Sequence, residues 1–297
     1  VHNMVHIACV SDNHFCRHMG VMLCSLLENT AAPGCVIIHA VDAGIDCRNR
    51  KKLRHLVRRY GAELRFLKAD AEMYAGLPLT LNMTAAVYHW LSVPELIKGE
   101  TDRVIYLDSD LVVLKDIAIL WKSRIHEDAI VAAVAEPFFN RYADLEIPAS
   151  AACFNAGVVL VDVNKWLSEN VTEKVIDFIS AHADKIRFWD QDGLNAVLHD
   201  RWMPIAPKWN QHVNLLPEKA AERFAPNAFQ EALRDPAVVH YTTRSKPWHC
   251  RNTHPFKKYY FDYLKKTPWK RYACKDHLVY RALRKYFPRL AKNFLDM

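Results

Sequence analysis

Over the first 243 positions, short β-branched runs alternate with longer stretches whose apolar residues recur at helical spacing, which predicts strands and helices layered on a mainly parallel sheet. The runs predict strands over 5–10, 36–41, 64–67, 103–107, 129–135, 156–163 and 237–241. Between them the spacing predicts helices over 19–28, 46–60, 84–98, 164–182 and 191–199. No internal repeat is visible, which argues against a solenoid. The longest apolar runs, 129–135 and 156–161, have strand length and fall short of the roughly 18 residues needed to cross a bilayer. The start, Val1-His2-Asn3-Met4, lacks the basic region and apolar stretch of a secretion signal.

With 297 residues, 51% hydrophobic and 25% charged, the chain is too apolar for a disordered tail and suits one large domain, alone or with an appendage. Its eight cysteines form no CxxC pair and several lie in apolar stretches, so they read as reduced thiols of a cytoplasmic protein. The net charge of +7 hides a division. From Arg244 onward, fifteen Lys/Arg face three Asp/Glu, a balance of +12, whereas residues 1–243 carry −5. The same 54 residues hold 12 of the 33 aromatics. The two parts are therefore expected to meet different partners.

Signatures for dinucleotide binding (GxGxxG), a P-loop, an α/β-hydrolase elbow (GxSxG) and a zinc protease (HExxH) are all missing. What stands out is Tyr106-Leu107-Asp108-Ser109-Asp110, an apolar strand ending in two carboxylates. In an extended backbone residues i and i+2 point to one side, so both could face one hard cation at the strand's carboxyl end, where open α/β sheets place ligands. The alternative is a pair of solvated turn residues. His240, at the end of the strand 237–240, is either a structural histidine or a third ligand. Two carboxylates and an imidazole leave about three octahedral positions open, which suits Mn2+ or Mg2+ clamping a diphosphate, with Lys246 adding charge to the phosphates. A competing set, His249, Cys250 and His254, lacks the second cysteine pair of a zinc tetrahedron.

Five ordered blocks carry a family resemblance: HIACVSDNHF, DRVIYLDSDLVV, FNAGVVLVDVNKW, DQDGLN and HYTTRSKPW. From residue 5 to about 250 the chain resembles the family 8 retaining glycosyltransferases, most of all the bacterial galactosyl- and glucosyltransferases that build lipopolysaccharide or lipooligosaccharide. The resemblance implies a GT-A fold, a Rossmann-like nucleotide-diphospho-sugar transferase domain over 1–246, followed by a small helical, basic and aromatic segment over 247–297. It implies a UDP-sugar donor, with Asp12 and His14 on the uridine and Phe15 stacked on uracil. Asp108, Asp110 and His240 are then the ligands of Mn2+, and Lys246 touches the diphosphate. Asn155, Asp190 and Gln191 surround the donor sugar and its anomeric carbon; Val10, Ser109, Trp90 and Thr243 complete the donor site. The implied catalytic residues are Gln191, as a stabiliser of same-face attack by the acceptor hydroxyl, and Asp190, as the fallback nucleophile. Trp90 stands where similar enzymes carry an arginine, and Thr243 where they carry a glycine; His14 replaces a more usual asparagine. The first change removes a charge and the second adds bulk, so both bear on donor identity and turnover.

In the basic segment, aromatics and cations interleave through Tyr259, Tyr260, Phe261, Tyr263, Trp269 and Tyr272, and then Leu278, Ala282, Leu283, Tyr286 and Phe287 recur at helical spacing between Arg281, Arg284, Lys285 and Arg289. Either this is a helical cap with a solvated basic face or, the reading favoured by the resemblance, an anchor on anionic lipid at the inner face of the cytoplasmic membrane. The expected partners are a UDP-hexose and a saccharide or lipid-linked acceptor, with no nucleic acid. The rival readings are a nucleotide-sugar-binding protein that has lost catalysis through Trp90 and Thr243, and a module for single-stranded nucleic acid.

Overall fold

The computed structural model describes residues 4–79, 84–272, 282 and 285–287. Its strands are β1 (Val5–Ser11), β2 (Val36–Asp42), β3 (Glu63–Leu67), β4 (Arg103–Leu107), β5 (Leu111–Val113), β6 (Val131–Ala135), β7 (Phe154–Asp162), β8 (Trp202–Pro204) and β9 (Val238–His240). The helices are α1 (Cys16–Asn29), α2 (Cys47–Arg58), α3 (Ala86–His89), α4 (Val93–Leu96), α5 (Ile117–Trp121), α6 (Val163–Ser168), α7 (Val171–Ala181), α8 (Trp189–Leu198), α9 (Pro226–Arg234) and α10 (Lys257–Leu264).

Seven strands form one sheet in the order β3-β2-β1-β4-β7-β6-β8, and β5 pairs with β9 in a second. β3, β2, β1 and β4 run parallel, whereas β7 is antiparallel to both neighbours. Period-2 alternation on the central strand feeds two cores: Ile105 and Leu107 pack on one face, Val104 and Tyr106 on the other. Each such side chain contributes about 1.5–3 kcal/mol by leaving water. The chain winds outward from β1 through β2 on one side and resumes at β4 on the other. A crevice therefore opens where β1 and β4 end, the switch point of an open α/β sheet.

Most of the expected strands form, but two expected helices are broken. The 84–98 stretch becomes α3, a tight turn over Trp90–Ser92, and α4. Pro94 has no N–H to give the carbonyl four residues back, which stops a continuous helix. The 164–182 stretch divides into α6 and α7 at Asn170, whose φ of 52° places it in the left-handed region that asparagine tolerates. The short elements β5, β8, α5 and α9 carry too few residues to announce themselves in the pattern.

The basic segment begins as part of this fold. Trp248 lies flat on His18 of α1, ring centroids 3.5 Å apart, and the Tyr260 hydroxyl hydrogen-bonds His18 Nδ1 at 2.7 Å. Asn29 donates to the Tyr263 hydroxyl at 2.6 Å, and the Trp269 ring fills the space above Gly20, where a Cβ would come within 2.4 Å of it. Thus most aromatics expected at lipid headgroups over 248–272 pack inward as a cap on α1. Beyond the cap, Tyr286 and Phe287 are exposed; Leu278, Arg281, Leu283, Arg284 and Arg289 lie outside the described residues. Among the described residues no helix is long and apolar enough to cross a membrane.

Candidate active site

Asp108 follows the last residue of β4, and Asp110 precedes β5. Here the structure differs from the extended pair expected of D-x-D: Ser109 and Asp110 form a turn between the two strands. Ser109 Oγ fixes that turn to the end of β1 by donating to the Val10 carbonyl at 2.7 Å. Antiparallel register of β5 with β9 sets Leu111 opposite His240, which delivers the imidazole to the carboxylates. His240 Nε2 lies 3.3 Å from Asp108 Oδ2 and 3.2 Å from Asp110 Oδ1.

Surrounding residues hold the three groups in place. His240 Nδ1 donates to Asn210 Oδ1 at 2.9 Å, and the Asn210 amide donates to Asn155 Oδ1 at 2.8 Å, which leaves Nε2 directed at the carboxylates. The Tyr106 hydroxyl donates to Asp108 Oδ1 at 2.8 Å, and Lys246 Nζ donates to Asp110 Oδ2 at 2.5 Å. Burial pushes the Asp110 pKa up, but Lys246 and His240 outweigh it and hold the carboxyl well below the usual range. Burial would lower His240, yet Asp110 and Asp108 reverse this and raise it to about 9. The ring passes so close to β7 that only glycine fits opposite: a Cβ on Gly157 would lie 2.1 Å from His240 Cε1.

Among the described residues this is the only group of three or more His, Cys, Asp or Glu whose ligand atoms converge, all within 4.8 Å of one another. Two hard oxygens and one imidazole nitrogen, each oriented by a second partner, fit a divalent cation. The rival zinc set does not converge. Instead His249 Nδ1 accepts from the Lys246 amide at 3.2 Å and His254 Nδ1 from the Phe256 amide at 3.3 Å.

The second D-x-D divides its labour. Asp192 is fully buried and structural, accepting from Arg141 at 2.5 Å and from the amides of Arg187 and Phe188. Asp190 accepts from Trp90 Nε1 at 2.7 Å and makes no salt bridge among the described residues. Burial, reinforced by the charge of Asp108, raises its pKa to about 8. Trp90 also stacks on Tyr106 at 4.2 Å, which connects Asp190 to Asp108. Gln191 Oε1 accepts from the Ala156 amide at 3.1 Å.

At the end of β1, Asp12 Oδ1 accepts from the Phe15 amide at 2.8 Å, and Asp12 and His14 line a cavity of about 400 Å3. Phe15 is not in its wall; it packs edge-on against His18 and Trp248. Thr243 is exposed and donates to the Ser245 carbonyl at 3.0 Å. The sequence reading missed Asn210, Tyr106, Gly157 and Glu136. Glu136 is a buried carboxyl that burial pushes upward in pKa, held by Asn214 at 2.9 Å. Of these only Gly157 carried a signal, as a glycine inside a strand pattern.

A turn at the switch point whose two carboxylates, with a histidine from a returning strand, could hold a divalent cation is set in the GT-A fold of the nucleotide-sugar transferases. Residues 6–252 match the Glycosyl transferase family 8 model, and the chain belongs to that family. General stress protein A of Bacillus subtilis is 33% identical over 271 residues, 90% of this chain and 95% of that protein. The lipopolysaccharide 1,3-galactosyltransferase of Salmonella typhimurium is 27% identical over 280 residues, 92% of this chain and 81% of that protein. The galactosyltransferase LgtC, crystallised with donor and acceptor sugar analogs, shares the fold at a TM-score of 0.78 and 23% identity, covering 89% of this chain and 96% of that one.

Proposed function

We propose that this glycosyltransferase moves a hexose, galactose or glucose, from a UDP-sugar to a hydroxyl of a saccharide acceptor with retention at the anomeric carbon. The observation that carries the reading is the meeting of Asp108, Asp110 and His240 beside Lys246. Asp108, Asp110 and His240 would hold Mn2+ or Mg2+, which supplies Lewis acidity to the diphosphate leaving group. Lys246 supplies a positive charge where the phosphates gather negative charge as the glycosidic bond breaks. Asp190 Oδ2 is engaged by Trp90 Nε1, which supports attack by the acceptor hydroxyl on the face UDP leaves, the hydroxyl proton passing to a phosphate oxygen, with Asp190 the alternative nucleophile. Asn155 and Gln191 are the proposed neighbours of the donor sugar, Gln191 steadying the positive charge that develops on it. Titration calorimetry against a panel of UDP-sugars should give binding of one hexose donor with Mn2+ and little without it. Binding without turnover of any donor would instead favour a nucleotide-sugar-binding protein disabled at Trp90 and Thr243.

The name of the Salmonella relative supports lipopolysaccharide as the acceptor class, and we place the work on the core saccharide at the inner face of the cytoplasmic membrane. The +12 balance from Arg244 onward supports attachment there to anionic lipid. Because residues 248–272 serve the core, truncation after Tyr272 isolates the remaining tail better than truncation after Trp248. The shortened protein should lose most of its retention on anionic vesicles in sedimentation; equal retention would exclude the tail as anchor.

A further inference from the structure

A basic helix of the folded domain has no part in the site described above. Residues 47–59, α2 and the arginine that follows it, hold seven Lys/Arg and no Asp/Glu. Leu53, Leu56 and Val57 are buried beneath the helix, while Arg48, Lys51, Arg54, His55, Arg58 and Arg59 are exposed. Of the seven cations, Arg50 pairs with Asp42 at 2.6 Å, and the other six make no ion pair among the described residues. Cations elsewhere are matched locally, as Lys208 is by Glu231 and Lys258 by Asp262. Such a face is unfavourable for the helix itself. Arg48–Lys51, Arg48–Lys52 and Arg54–Arg58 are like-charge neighbours, and Arg48 stands in the first turn, where the helix dipole disfavours a cation. A local rule broken along a whole face, with nothing in the fold to offset it, marks a surface kept for something outside the fold.

The face continues onto the C-terminal cap. Trp269 Nε1 donates to Asn49 Oδ1 at 3.3 Å, Lys52 Nζ lies 5.2 Å from the centre of the Trp269 ring, and Arg59 donates to the Lys266 carbonyl at 2.9 Å. These contacts join α2 to the stretch that exposes Lys265, Lys270 and Arg271. We propose that α2 and this part of the cap form one docking surface for an anionic lipid bilayer, so that the folded domain itself, and not the tail alone, lies on the membrane. This deepens the membrane-attachment reading above, on which it rests. Cations spread along a convex helix face suit a layer of anionic headgroups, held by charge and released by salt. A nucleic-acid strand instead requires a groove with open rings for its bases, whereas Trp269 is taken up by Gly20 and Lys52, and Tyr272 by Arg17 at 4.6 Å. α2 also starts beside the crevice: Asn49 donates at 2.9 Å to Asn13 Oδ1, and Asn13 lines the cavity there. Docking on α2 therefore brings the crevice to the bilayer surface.

Sedimentation of the full chain with phosphatidylcholine vesicles, with and without phosphatidylglycerol, tests this. A variant carrying Arg48→Gln, Lys51→Gln and Arg58→Gln keeps helix-forming side chains and removes three charges. It should partition onto the anionic vesicles at least about tenfold more weakly at low salt, with a Tm equal to or above that of the wild type and Mn2+-dependent UDP binding within about twofold. Partition equal to wild type overturns the surface; if truncation after Tyr272 then abolishes binding, the tail anchors alone and only this inference fails. A wild type that ignores anionic vesicles removes the membrane reading as well. Retention on a DNA oligonucleotide that depends on these three residues, without retention on vesicles, overturns lipid as the partner.

Discussion

Asp110→Ala should lower transfer by roughly three orders of magnitude and remove metal-dependent UDP binding. The carboxylate does two things at once: it is one of three converging candidate ligands, and it pairs with both His240 and Lys246 in a mostly buried setting. Removing it leaves two cations facing each other with one fewer anion, a change that costs about 3–5 kcal/mol for a buried pair. Asp110→Asn separates the effects, since the amide keeps the volume and can accept from Lys246 but is a poor ligand for a hard cation. That variant should fold with a modestly lower Tm and still be inactive. Turnover of the wild type that persists undiminished in excess chelator would refute the cation's role.

Gly157→Ala is expected to be nearly as damaging, although the residue has no chemistry of its own. The new methyl would lie 2.1 Å from His240 Cε1, 2.6 Å from Nδ1 and 2.8 Å from Asp108 Oδ2. His240 cannot swing away cheaply, because β9 is paired with β5 and the ring is bonded to Asn210. Overpacking of this kind costs about 1–3 kcal/mol and displaces the imidazole from the carboxylates. Mn2+ affinity measured by calorimetry should fall at least about tenfold, in the range seen when groups orienting a metal ligand are lost, and transfer should fall further. Unchanged affinity would mean that His240 is not a ligand.

Those parts of the fold written in local pattern were legible. Apolar runs marked β1, β2, β4 and β7. D-x-D, His240 and Lys246 were left ambiguous by their pattern alone and singled out by the family resemblance; the structure brings them together. The breaks at Pro94 and Asn170 were harder to read, since the flanking residues keep a helical period across both. Long-range geometry was the larger gap. That Asn210 turns His240, and that Tyr106 buttresses Asp108, follows only once β4, β7 and β9 are side by side. The aromatic rings of the cap read equally well as lipid anchors, because the surfaces that receive them, His18, Gly20 and Asn29, lie over 200 residues earlier on α1.

The pairing of Asp108 and Asp110 with a protonated His240 and Lys246 means that the centre is already electrically balanced before any cation arrives. Two anions meet two positive charges, so nothing in it has to be quenched from outside for the polypeptide to fold. A preparation stripped by chelator should therefore melt close to the untreated protein and regain activity on replenishment, unlike domains whose folding depends on metal. A cation at this centre would serve the reaction rather than the resting architecture.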